Sequence, residues 1–115
     1  MANAEECRTA LEQLSRNLAK STGKVRKAAA LDRSLTCRIT DLDLTFSGRL
    51  RDGRIEDVTE VPGAPAEKAE IRLTMTSDDL VALVDGRLNF AVAWAGGRVK
   101  LEAGFRDLLR LRTLL

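Results

Sequence analysis

The sequence predicts an α+β fold, because helical and strand-like stretches follow one another in blocks and the apolar spacing changes period between them. Three observations carry that reading. A four-three-four run of apolar residues opens the chain. Four segments alternate apolar and polar residues, and a fifth does so more poorly. Capping and turn residues stand between the segments where a helix or hairpin needs them. The 115 residues suit one domain, expected to span 1–115, and 44% hydrophobic residues supply one core without a disulfide or a metal.

Cys7, Leu11, Leu14 and Leu18 lie on one stripe of an amphipathic helix over residues 4–18. The stretch 20–33 is basic, with Arg16 adding to Lys20, Lys24, Arg26, Lys27 and Arg33 against Asp32 alone, and it has room for a short helical turn at 25–30. The period then becomes two. Leu35, Cys37 and Ile39 alternate with Thr36, Arg38 and Thr40, and Leu42, Leu44, Phe46, Gly48 and Leu50 alternate with polar neighbours. Asp52-Gly53 is a two-residue turn signal, so residues 54–61 return as a third strand, whose weaker alternation predicts a bulge or a sheet edge. Pro62, Gly63 and Pro65 mark a loop. Residues 69–76 are the cleanest strand, with Ile71, Leu73 and Met75 on one face. Ser77 is expected to cap the next helix, with Asp78 and Asp79 in its first turn and Gly86 closing it. Asn89 is expected to cap a short helix over 90–95, and 98–103 reads as a fifth strand with Val99, Leu101 and Ala103 inward. The last helix follows Gly104. Its apolar residues are Phe105, Leu108, Leu109, Leu111 and Leu115, with Arg106, Asp107, Arg110 and Thr113 more exposed.

Composition narrows the chemistry. There is no histidine and no tyrosine, which removes the commonest general base and metal ligand and the phenol donor of several isomerase and lyase sites. Cys7 and Cys37 both sit on apolar stripes and are expected to be buried free thiols, as in a reducing cytoplasm. No metal and no cofactor are expected. Asp78-Asp79 and Asp41-x-Asp43 could pair as catalytic carboxylates, but capping and a strand-to-strand turn already explain them. The first residues are acidic where a signal peptide is basic, and no apolar run reaches membrane length, so a cytoplasmic protein is expected. Fourteen arginines against five lysines, with many alanines and leucines, hint at a GC-rich bacterial gene. A net charge of +2 argues neither for nucleic acid nor against an anionic ligand, and nucleic acid is not expected, because no aromatic residues interleave with the basic run and no recognition motif appears.

From residue 69 onward the chain resembles the sterol carrier protein 2 family. That pattern is a strand, then S-D-x-D-L-x-x-L-x-x-G-x-L, then an aromatic-containing segment, then G-K/R-hydrophobic-K-hydrophobic-x-G. Here Ile71 to Gly104 reads I-R-L-T-M-T-S-D-D-L-V-A-L-V-D-G-R-L-N-F-A-V-A-W-A-G-G-R-V-K-L-E-A-G, matching at Ser77, Asp79 or its neighbour Asp78, Leu80, Leu83, Gly86, Leu88, Trp94, Gly97, Arg98, Val99, Lys100, Leu101 and Gly104. Phe105 departs from the pattern, where a polar residue is usual, and Thr113-Leu114-Leu115 lacks the small-basic-leucine ending of peroxisomal members. The resemblance implies a five-stranded, mostly antiparallel sheet covered on one face by helices, an apolar tunnel between, and sterol, fatty acid or acyl-CoA as ligand.

On that basis Leu73, Met75, Leu80, Leu83, Val84, Phe90, Trp94, Leu101, Phe105, Leu108 and Leu109 are expected to line the tunnel, Phe90 and Trp94 shaping its mouth. Ordinary core packing is the plainer account of each one taken alone. The function expected is non-catalytic: sequestering and carrying a long-chain fatty acid, acyl-CoA or sterol-like lipid. The alternative is an interaction module with a filled core, whose last helix docks on a lipid-metabolising enzyme. Arg106, Arg110 and Arg112 would let that helix touch an anionic membrane transiently while it acts as a movable cover for the tunnel.

Overall fold

The computed structural model describes residues 2–20, 32–65 and 68–112. The turn expected at 25–30 and the last residues of the chain lie outside them. In chain order come α1 (Ala4–Ala19), β1 (Arg33–Ile39), β2 (Leu44–Arg51), β3 (Arg54–Pro62), β4 (Ile71–Met75), α2 (Ser77–Asp85), α3 (Phe90–Ala95), β5 (Lys100–Ala103) and α4 (Phe105–Arg112). The strands form one sheet in the order β3-β2-β1-β4-β5. The long crossover from β3 brings β4 in parallel beside β1, and every other neighbour pair is antiparallel. The fold is thus α+β with a mostly antiparallel five-stranded sheet.

Period two decides which side of the sheet is covered. Cys37 stands beside Phe46 on β2 and Leu73 on β4, and Leu73 stands beside Leu101 on β5. These residues share the inner face, against which Cys7, Ala10 and Leu11 of α1, Leu80 of α2 and Ala93 of α3 pack into one buried cluster with Ile39, Phe46 and Met75. The other face carries Thr36, Arg38, Ser47 and Arg72, partnered in register across β2, β1 and β4. The opening stripe of α1 therefore does what its spacing predicts. Asn3 fixes where the helix starts, as its Oδ1 accepts from the Glu6 N–H at 2.8 Å and Glu6 Oε1 accepts from the Asn3 N–H at 3.3 Å.

Several boundaries differ from the sequence reading, each for a local reason. Thr76, not Ser77, caps α2: its Oγ1 accepts from the Asp79 N–H at 3.2 Å. Ser77 is the first helical residue and turns to Asp41, donating from Oγ at 2.5 Å and from its N–H at 2.8 Å. β5 starts at Lys100 because the N–H groups of Arg98 and Val99 turn back to the Ala93 carbonyl at 2.9 and 3.3 Å and close α3 instead. Pro62 ends β3 instead of opening the loop, a position open to proline because β3 is an edge strand. β3 also carries the expected irregularity. The register slips between Ser47 and Arg49, Asp57 takes φ 55, and Gly48 lies so close to β3 that a Cβ there would sit 2.9 Å from the Glu56 carbonyl oxygen. No described helix is long and apolar enough to cross a membrane.

Candidate functional site: an apolar cavity under the sheet

The covered face is not filled everywhere. A cavity of about 330 Å³ lies between the sheet and the helices. The sheet supplies Leu35 and Cys37 from β1, Leu50 from β2, Ile55 from β3, Ile71, Leu73 and Met75 from β4 and Leu101 from β5. Across from them stand Leu11, Leu14 and Leu18 of α1, Leu80, Leu83 and Val84 of α2, then Leu88 and Phe90. The wall exists because α1 and α2 each present one apolar stripe at helical spacing, while the strands present theirs at every second residue. Every wall side chain is aliphatic, aromatic or sulfur-bearing.

Among the described residues the only titratable group in that wall is the Cys37 thiol, and burial pushes it up to about 12, with Cys7 close by adding to the effect. Burial likewise raises Cys7 to about 11, helped by the nearby carboxylate of Asp41. Both cysteines are free and buried, so the described wall carries no charge at neutral pH. Such a wall offers contact area and no directional bonds, which suits a hydrocarbon ligand and no bond-making chemistry.

Of the residues expected around a tunnel, the wall includes Leu73, Met75, Leu80, Leu83, Val84, Phe90 and Leu101 and does not include Trp94, Phe105, Leu108 or Leu109. Trp94 packs beside the wall residue Phe90, ring centroids 5.8 Å apart. The last helix is rotated away from the expected setting. Phe105 is 75% exposed and Leu109 49% exposed, whereas Asp107, expected to face water, is turned inward with its side chain 13% exposed. The cause is an ion pair: Arg33 Nε, at the start of β1, donates to Asp107 Oδ2 at 2.9 Å and so sets the helix face. Nine wall residues fell outside the expected set: Leu11, Leu14, Leu18, Leu35, Cys37, Leu50, Ile55, Ile71 and Leu88. Except for Leu88, which lies between α2 and α3, their signal was present as the apolar stripes of α1 and of strands β1 to β4.

The carboxylates read as capping or turn groups are held in the structure. Asp79 pairs with Arg98, and Asp43 accepts from Arg38 at 2.6 Å. Burial alone would raise the Asp41 carboxyl, but the two bonds from Ser77 hold it below the usual carboxylate range. A second, more open depression between α1 and α2, about 490 Å³, is floored by Ala10, Val81 and Val84 and edged by the polar side chains of Asn3, Glu5, Glu6, Thr9, Gln13 and Asp85. Most of the basic stretch, residues 21–31, lies outside the described residues.

Solved structures share this architecture. The sterol carrier protein domain 2 of Helicoverpa armigera superposes with a TM-score of 0.65 at 19% identity, covering 98% of this chain and 89% of that one. A crystal structure of sterol carrier protein 2 gives 0.62 at 20% identity, over 88% and 82%. Part of the sec-alkyl sulfatase PisA1 gives 0.54 at 26% identity, over 80% of this chain, which spans only 15% of the sulfatase. No curated protein matches the chain. The model of the SCP-2 sterol transfer family matches residues 11–115, almost the whole length, and the chain belongs to that family.

Proposed function

We propose that residues 1–115 form one lipid-carrier domain, which shelters a long-chain fatty acid, acyl-CoA or sterol-like molecule between sheet and helices and does no chemistry on it. The observation that carries this reading is the cavity itself: about 330 Å³ of space walled by apolar side chains and a neutral thiol. Membership of a family described by sterol transfer supports it. Each methylene removed from water contributes roughly 0.8 kcal/mol, so a long chain reaches about micromolar affinity after the cost of association. The free, buried thiols fit work in a reducing cytoplasm.

The exposed Phe105 and Leu109, with Arg106 beside them, suit brief contact with an anionic membrane during loading or release. The same stripe admits the second reading, in which α4 docks on a lipid-metabolising enzyme and the cavity is only a packing defect. Native mass spectrometry of gently purified protein separates the two. A lipid mass retained on the folded protein is the expected result; repeated ligand-free spectra with a stable protein partner would overturn the carrier reading.

A further inference from the structure

An open sheet ends in two edges, and each leaves a row of backbone N–H and C=O groups without a strand to pair with. In this fold the edges are β3 and β5. The first is closed off. Ser15 of α1 takes both outward groups of Ile55, its Oγ accepting from the N–H at 3.0 Å and donating to the carbonyl at 3.3 Å. Asp57 at φ 55 bends the strand, the register slips against β2, and Pro62 at the end has no N–H to give.

β5 has none of these devices. It pairs with β4 without a slip, Thr74 beside Lys100, Leu73 beside Leu101, Arg72 beside Glu102 and Ile71 beside Ala103. None of its residues is proline or takes a positive φ. Among the described residues its backbone bonds to nothing beyond β4. What could still deter a second strand is charge, and here charge is self-complementary. Lys100 and Glu102 are exposed on the outer face, while Leu101 and Ala103, half-buried, take the inner one. In an antiparallel pair, opposed residues share a face. Two β5 strands centred on Lys100, or on Glu102, would set like charges opposite each other. Centred on Leu101 they set Lys100 opposite Glu102 twice, and they also overlap most. A row of alternating charge then runs across the outer face from Arg72 to Glu102, 3.7 Å apart in one copy, and on to the partner's Lys100. Lys100 has no ionic partner of its own among the described residues. On the inner face Leu101 meets the partner's Leu101 and covers apolar surface that one copy leaves half-exposed.

We infer that β5 is an interface to a second copy of this chain: two β5 strands pair antiparallel about Leu101 and join two five-stranded sheets into one. The two-fold axis stands perpendicular to the joined sheet, so both helix layers lie on the same side of it. Four residues a side make a small interface, and the dimer is weak, with a Kd on the order of 100 μM. The test is sedimentation velocity of the whole chain from about 10 μM to about 1 mM, across which the parent should pass from monomer to dimer. Lys100→Glu turns both cross-strand pairs into facing carboxylates and Glu102→Lys turns both into facing ammonium groups, so each variant alone should dimerise at least about tenfold more weakly. Mixed in equal amounts, the two variants should form a heterodimer about as well as the parent dimerises, because each meets the charge it lacks. The double variant Lys100→Glu with Glu102→Lys restores opposite charges within one chain, and it replaces the mixture should either single variant fail to fold. A parent still monomeric at about 1 mM, single variants that dimerise like the parent, or a mixture and double variant that stay monomeric would overturn the inference.

Discussion

A thiol in a hydrocarbon wall is held in its protonated form, because the thiolate would have to give up its water with nothing to replace it. Cys37 shows this most strongly, at about 12, and Cys7 follows at about 11, against 9.0 for a free thiol. Because the folded protein keeps these protons longer than the unfolded chain does, their contribution to stability is complete below about pH 9 and is lost as pH rises towards 11 and 12. The chain has no tyrosine, so thiols and lysines are the main groups that titrate in that window. Urea unfolding measured from about pH 8 to about pH 11 should therefore show stability falling above about pH 9, with a shallower fall in Cys37→Ala. Equal slopes in parent and variant would mean that the thiol is not desolvated in the fold. At this scale the sequence was only partly readable. Burial of both cysteines followed from their stripes, but the choice between Thr76 and Ser77 as helix cap did not, since both are hydroxyl residues and Asp41, far back in the chain, claims Ser77.

An element's period is written locally, but its rotation against the rest is not. The stripe of α1 and the alternation of β1, β2 and β4 were legible, because one apolar face repeats at 3.6 or at two residues and burial enforces it. For α4 the apolar residues pointed to the wrong face. The helix has Phe105, Leu108 and Leu109 on one side, and a count of apolar area turns that side inward. The Arg33–Asp107 pair, joining residues 74 positions apart, turns it outward instead. Under the proposed carrier reading, this basic helix with two large apolar side chains outward is the part that would touch lipid headgroups and acyl chains. Parent protein should bind vesicles containing about a third anionic lipid, and more weakly as salt rises. The double variant Phe105→Asp with Leu109→Asp should bind them at least about tenfold more weakly, given roughly 1.5 to 3 kcal/mol for each buried apolar side chain, while its cavity ligand affinity stays unchanged. Vesicle binding equal to that of the parent would show that this face touches something other than membrane.

For the whole molecule, the cavity explains a division in the core. One buried cluster gathers Cys7, Leu11, Ile39, Phe46 and Leu80, and a smaller one gathers Leu35, Leu50 and Ile71; Leu73 packs against both, and the cavity wall draws on both. The order of elements was legible from the sequence, whereas the space between the clusters was not, because periodicity names the side that is buried and says nothing about how completely it is filled. A ligand chain lying along β4 would touch both clusters at once and complete the packing that the chain leaves open. Ligand that binds only the folded form stabilises it by about 2.7 kcal/mol at a hundred times its dissociation constant. For a domain of this size that amounts to a rise in Tm on the order of 5–10 °C. The gain should also have a location. Amide exchange should slow in α1, α2, β1 and β4, whose side chains form the wall, and change little in Asp107 to Leu109 of α4, which has no residue in it. Protection confined to α4 would mean that the helix closes over the ligand after all, and a bound ligand that leaves Tm unmoved would mean that it sits outside the core.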